Sequence, residues 1–197
     1  MAENSGLMEV LRSFLRPHEK VLVCGNAELE GDAADATAAL GGEIVLWSGK
    51  QTWQDLLRLA FAQRATVLIG RPRIILALAK IARITGTPLP VRHVVLLGPG
   101  RDPWLLKGIQ DSLDAKIHYC DTPGLSESED SLLQQLDEML LSWSSVLDYR
   151  AKRTEQGLAL EIVVFSGRKL PKLPSGASIT VRPWSPGEDG PMCFPET

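Results

Sequence analysis

Over the first 120 residues, short apolar runs alternate with amphipathic stretches. Lys20-Val-Leu-Val-Cys24, Glu43-Ile-Val-Leu-Trp47, Thr66-Val-Leu-Ile69, Arg92-His-Val-Val-Leu-Leu97 and Lys116-Ile-His-Tyr119 are each rich in β-branched or aromatic residues. Each is followed by glycine, serine or another turn-forming residue within a few positions, so they predict five buried strands. Helical spacing fills the gaps. Leu7, Leu11, Phe14 and Leu15 define one helix, ended by Pro17, and the Ala-rich Asp32–Leu40 stretch a second, with Gly41-Gly42 at its C-cap. Thr52 is a natural N-cap for a third, running to about Gln63 with Trp53, Leu56, Leu57, Ala60 and Phe61 on one face. Ile74–Ile84, closed by Gly86 and Pro88, and Pro103–Leu113 complete the set.

Strands alternating with helices predict an α/β fold: a doubly wound, mostly parallel five-stranded sheet, flavodoxin-like or Rossmann-like, with helices on both faces. Ligands of such sheets gather beyond the carboxyl ends of the strands. That directs attention to Gly25-Asn26, Ser48–Thr52, Gly70–Arg73, Gly98–Trp104 and Asp121–Glu127.

The pattern changes after Ser131. Leu132–Tyr149 predicts a long helix, Leu158–Phe165 a strand, and Gly167–Gly176 a basic, Pro-rich connection; Ser178–Arg182 predicts a further short strand. From Pro183 the chain is dense in proline and glycine. The expected division is an α/β unit over 1–150, a small C-terminal β appendage over 151–183, and a flexible tail over 184–197.

Composition narrows the class without naming a function. Of 197 residues, 44% are apolar and 23% charged, an ordinary globular mix that excludes collagen-like, disulfide-dense and wholly disordered chains. No apolar run reaches the ~18–20 residues of a membrane span, since the richest, Ile74–Ile84, contains Lys80 and Arg83. The opening MAENSGLMEV lacks the basic and apolar regions of a signal peptide. Cys24, Cys120 and Cys193 have neither zinc nor redox spacing, so a reducing, cytoplasmic location is expected.

Charge is unevenly placed. Residues 50–116 carry 11 basic and 4 acidic side chains, a net of +7, and residues 117–148 carry no basic and 7 acidic ones, a net of −7. Such a border suits an anionic ligand seated near a carboxylate or metal; the plainer reading is that Arg58, Arg64, Arg83 and Lys107 solvate outer helix faces. With little aromatic interleaving and an overall charge of −3, nucleic acid is not an expected partner. His18, His93 and His118 lie far apart in sequence without ligand spacing, so surface or satisfied-sheet roles are expected. The phosphate cradles GxGxxG and GxxxxGK[ST] and the nucleophile elbow GxSxG are absent.

One ordered set of loops carries more information. GGEIVLWSGKQT (41–52), the strand ending before Gly70-Arg-Pro72, GRDPW (100–104) and DTPGLSE (121–127) occur in series. Together they resemble the phenylacetate–CoA ligases of the AMP-forming, adenylate-forming superfamily. EIVVFSGRKLPKLPSGASITV (161–181) resembles the stretch before that family's closing strands. The specific part covers residues 41–127, the family's central nucleotide-pocket subdomain.

The resemblance implies ATP or AMP with Mg²⁺ as cofactors. It lays the backbone of Gly100, Arg101 and Asp102 along an adenine, lines the nucleotide pocket with Asp121, Gly124, Leu125 and Ser126, and gives Glu127 to Mg²⁺. A hard cation favours carboxylate oxygen, and glycine permits close backbone approach. Pro123 stands where the family stacks adenine on a tyrosine, giving apolar surface without a π-face.

The family's Ser/Thr/Gly-rich phosphate loop, ribose-binding Thr-Gly-Asp-like motif and catalytic lysine domain have no counterpart in these residues. The expectation is therefore a ligase-like protein that is not catalytic alone and binds a nucleotide, CoA or acyl ligand. Two alternatives stand beside it: one subunit of a split ligase completed by a partner chain, or a scaffold that has lost the site. Exposed Trp53 or Trp104 would favour the scaffold, and Arg71 and Arg73 in a cleft with Glu127 would favour a ligand site.

Overall fold

The computed structural model describes residues 5–24, 27–47, 52–98, 102–121, 131–155, 157–166, 170, 173 and 177–185. Elements follow in the order α1 (Ser5–Arg12), β1 (Lys20–Cys24), α2 (Ala27–Ala39), β2 (Glu43–Trp47), α3 (Trp53–Ala62), β3 (Val67–Gly70), α4 (Pro72–Thr85), β4 (His93–Leu97), α5 (Pro103–Gln110) and β5 (Lys116–Cys120). Then come α6 (Ser131–Leu136), which continues as a π-helical turn (Asp137–Leu141), and β6 (Val146–Thr154), β7 (Gly157–Val164) and β8 (Ser178–Pro183).

The first five strands pair in the order β2-β1-β3-β4-β5, all parallel, so the doubly wound α/β expectation holds. Alternate residues of each strand face opposite sides. Val21, Val23, Val67, Ile69, Val95, Leu97 and Cys120 meet Leu7 and Leu11 of α1 and Ala33 and Ala36 of α2. Leu22, Cys24, Leu68, Val94 and Leu96 face the other way, into a larger core with α3, α4 and α5. Helix α4 supplies nine buried residues in a row, Ile74 to Ala82, because it is covered on one side by the sheet and on the other by the C-terminal segment.

Local chemistry sets several boundaries. Thr52 and Asp55 form a reciprocal capping box at the start of α3. Pro72 and Pro103 sit in the first turns of α4 and α5, where a missing N–H costs nothing, and Gly86 ends α4 with φ +66°. Helix α2 begins at Ala27, five residues ahead of the expected Asp32. Helix α1 stops at Arg12, and α5 stops at Gln110 rather than Leu113.

The expected Leu132–Tyr149 helix is corrected. Helical backbone ends at Leu141, and Val146–Thr154 is a strand. Its period looked helical because Leu132, Leu136, Leu140 and Leu141 are apolar at helical spacing. Ser142, Ser144 and Ser145 then break the run, and Val146, Leu147 and Tyr149 favour extended backbone. Strands β6 and β7 pair antiparallel, and β8 adds parallel to β7. Tyr149, Leu160, Ile162 and Phe165 of this small sheet belong to the same core as α4. Trp184, past the end of β8, packs edge-on against Phe165 at 5.6 Å.

Gly70 closes β3 beside Cys24, where a Cβ would lie 2.7 Å from the Cys24 carbonyl oxygen. Substitution Gly70→Ala is expected to cost about 1–3 kcal/mol through this overpacking. Urea denaturation measures it; an unchanged midpoint would mean the β1 and β3 ends part freely.

Candidate functional site

The ends of β4 and β5 carry the two loops that the sequence singles out. Gly98, immediately after β4, adopts φ +91°, a conformation open to glycine, and donates its N–H to the Cys120 carbonyl at 3.0 Å. That bond ties the root of the Gly98–Trp104 loop to the root of the Asp121–Glu127 loop. Asp102 is exposed at the N-cap of α5 and makes no side-chain capping bond. Asp121 is exposed at the opposite root, and its charge adds to burial in raising the Cys120 thiol. Gly100, Arg101, Gly124, Leu125, Ser126 and Glu127 lie outside the described residues, as do Gly25-Asn26 and 48–51.

Arg71 and Arg73, at the end of β3, take different paths. Arg71 is the half-buried N-cap of α4. Arg73 turns toward the C-terminal segment. Its Nε and Nη2 donate to Asp148 Oδ1 at 3.1 and 2.9 Å, its Nη1 to Asp137 Oδ1 at 3.3 Å, and its Nη2 to the Tyr149 carbonyl at 2.5 Å. The guanidinium lies 4.3 Å over the Tyr149 ring, whose hydroxyl donates to Asp137 at 2.7 Å. Asp148 is 2% exposed, so this is a buried charge with its counter-charge in place. Trp53 and Trp104, whose exposure would favour a scaffold, are packed: Trp53 is buried and stacks on Trp47, and Trp104 packs partly buried against the core.

Lys80, two turns along α4, reaches the same segment. Its ammonium donates to the carbonyls of Leu141, Trp143 and Val146 at 2.6, 3.1 and 2.7 Å, which uses all three N–H groups. Burial pulls its pKa down to about 7, with Asp148 resisting and Arg73 reinforcing the fall. The basic and acidic blocks of the sequence thus meet at this seam. Arg58 and Lys107 pair with Asp55 and Asp111 on exposed helix faces, and Arg64 and Arg83 are exposed, as the plainer reading of that charge had it.

A cavity of about 100 Å³ opens beside Lys80, lined also by Arg83, Gly108, Asp111, Ser142 and Ser144. It is well below the ~300–1,000 Å³ of a small-molecule site and too small for a nucleotide. Among the described residues, no group of three or more His, Cys, Asp and Glu is placed to hold a metal, and no helix is long and apolar enough to cross a membrane.

The histidines take the surface and satisfied-sheet roles expected of them: His18 is exposed, and the other two satisfy each other. His93 and His118, 25 residues apart, lie on neighbouring strands with His93 Nδ1 and His118 Nε2 only 3.0 Å apart. Pairing of β4 with β5 puts them on one face at diagonal positions, which sequence spacing alone does not display.

No protein-family model and no curated protein matches this chain. Solved structures do. An open conformation of 2-hydroxyisobutyryl-CoA ligase in complex with 2-HIB-AMP and CoA superposes on 60% of this chain and 30% of its own, with a TM-score of 0.53 and 18% identity. The same ligase in the postadenylation state with R3-HIB-AMP covers 62% of this chain and 28% of its own, with a TM-score of 0.55 and 17% identity. Over about 60% of its length the chain therefore has the fold of part of these ligases, and it spans less than a third of their length.

Substitutions at both cations test the seam. Arg73→Ala strands the Asp148 carboxylate and is expected to cost about 3–5 kcal/mol, most of it recovered by adding Asp148→Asn. Lys80 gives a pH signature. Folded Lys80 loses its proton from about pH 7, whereas the unfolded side chain holds it to about 10.4. The unfolded state binds more protons between those limits, so stability rises with pH there. Relative to Lys80→Met, the wild-type unfolding free energy should grow by up to about 1.4 kcal/mol per pH unit over that window. Urea denaturation across a pH series checks the slope, and a flat difference contradicts it.

Proposed function

We propose that this protein is an acyl-CoA ligase-like nucleotide-pocket module that binds an adenine nucleotide, alone or joined to an acyl group, at the loops after β4 and β5, and does not catalyse adenylation by itself. The hydrogen bond from Gly98 to Cys120 carries the reading, because it roots both motif-bearing loops side by side at the carboxyl edge of a parallel sheet. The fold match to a ligase solved with 2-HIB-AMP and CoA, and again with R3-HIB-AMP, supports the ligand class. Within this reading the Gly100-Arg101-Asp102 backbone lies along the adenine, and Asp121, Gly124, Leu125 and Ser126 line the pocket. Glu127 holds Mg²⁺ at the phosphates, where carboxylate oxygen suits a hard cation. Pro123 in place of the family's tyrosine weakens adenine stacking by about 0.5–1.5 kcal/mol.

Adenylation needs positive charge at the transferring phosphate. These 197 residues carry neither the Ser/Thr/Gly-rich phosphate loop nor the catalytic lysine motif of the ligases, and Arg73 and Lys80 are committed to the seam. A second reading, a split ligase completed by a partner chain, draws on the matched length of under a third. It predicts AMP release from ATP, acid and CoA only when both chains are mixed.

Isothermal titration against ATP, AMP, CoA and phenylacetate, each with and without Mg²⁺, tests the binding. Nucleotide is expected to bind, and Glu127→Gln to weaken ATP roughly tenfold (about 1.4 kcal/mol) only when Mg²⁺ is present. Silence across the panel would remove the ligand and leave a scaffold.

A further inference from the structure

The amino edge of the large sheet, opposite the candidate loops, carries the His93–His118 contact. Phe14, just after α1, covers both rings, with centroids 4.2 Å from His93 and 4.3 Å from His118 and interplanar angles of 9° and 29°. The two imidazole centroids are 5.2 Å apart and their facing nitrogens 3.0 Å apart. The difference is close to one ring width, so both nitrogens lie on the line between the centroids. Lone pairs aimed along one line share a proton; a chelated metal would need them to converge on a third point. The bridge is an N–H···N hydrogen bond.

We propose that Phe14, His93 and His118 form an acid-sensitive clasp that holds α1 on the sheet. With the pair neutral, one ring donates and the other accepts. A first added proton can sit on an outer nitrogen and leave the bridge intact. A second makes both facing nitrogens donors, removes the bond, and sets two imidazoliums side by side under Phe14.

The charges around the pair are those of the neighbouring elements. Arg16 and Glu19 come from the α1–β1 connection, Arg92 precedes β4, and Lys116 opens β5. Glu19 pairs with Arg92 and accepts the Arg16 backbone N–H. The charged side chains of α1 itself, Glu9 and Arg12, are exposed, and His18 is exposed beside Glu43. Burial lowers both pKa values from 6.5. For His93 the Arg92, Lys116 and Arg16 charges add to this while Glu19 opposes it; for His118, His93 and Lys116 add to it.

A folded pKa below the unfolded one means the clasp is complete above about pH 6.5 and is lost as pH falls through the lowered values. The other end of α1 lies at the far edge of the sheet, since a Cβ on Gly6 would stand 3.7 Å from Cys120 Sγ. Release of the clasp therefore frees the cover over the last residue of β5.

Amide hydrogen exchange of the 7–11 segment, corrected for intrinsic rates, reads the clasp in the intact chain. Between about pH 7 and about pH 5 the opening constant of α1 is expected to rise about tenfold, and to stay within about twofold in His93→Gln/His118→Gln. A flat wild-type profile overturns the proposal. So does a slope that persists in the double variant, because Glu19 would then be its source. Should that variant fail to fold, proton NMR of the wild type decides: both imidazoles must titrate below 6.5, with the Phe14 ring moving on the second step. Either imidazole titrating at its ordinary value overturns the clasp.

Discussion

Two cations on one helix join the two sheets of this protein. Arg73 and Lys80 lie on the face of α4 turned away from the large sheet, and every donor of Lys80 ends on the segment from Leu141 to Val146. Burying charge this way adds little net stability beside well-packed apolar side chains of equal volume. Its effect is on geometry. Apolar contacts of Tyr149, Leu160 and Ile162 would tolerate a shift of β6 along α4, whereas a guanidinium fork bound to Asp148, Asp137 and the Tyr149 carbonyl does not. The seam also decides what these cations are unavailable for, because neither is left to meet a phosphate.

That division of labour separates the two edges of the large sheet. The carboxyl edge holds Gly98, Asp102, Cys120 and Asp121, with polar groups exposed and the loop roots cross-tied. The amino edge holds the histidine bridge under Phe14. Helix α1 spans the distance between them, from Gly6 near Cys120 to the Phe14 stack. Its eight residues rise about 12 Å, comparable to the length of the five-residue strand it covers. The segment from Gly6 to Phe14 thus touches both places from one face of the sheet, as β4 and β5 join them from within it.

The five strands were legible because a parallel sheet buried on both faces writes itself as short, nearly continuous apolar runs. Lys20–Cys24 and Glu43–Trp47 match their strands residue for residue. Strand β6 was not legible. Its residues follow a leucine-rich helical run that ends at Leu141, whose carbonyl accepts from Lys80, 61 residues upstream. The histidine pair was hidden for a related reason: contact across β4 and β5 depends on register, which single-sequence spacing does not encode. Of the candidate site, motif order points to the carboxyl edge of the sheet, where Asp102 and Asp121 stand at the loop roots. Where Arg73 would turn was open in the sequence, because the carboxylate that holds it lies 75 residues away.

The seam also imposes an order of assembly. A chain leaves the ribosome from its N-terminus, and the first five strands of a doubly wound sheet can pair before the rest has emerged. Helix α4 cannot finish with them. Arg73 waits 64 to 76 residues for its partners, and Lys80 waits 61 to 66. Until residue 149 is synthesised, nine consecutive buried positions of α4 have a sheet on one side only, and two unneutralised charges stand among apolar neighbours. A charged side chain on an uncovered helix face favours water over apolar contacts. The groups that lock the finished fold are thus of the kind that interrupts apolar runs before it is finished.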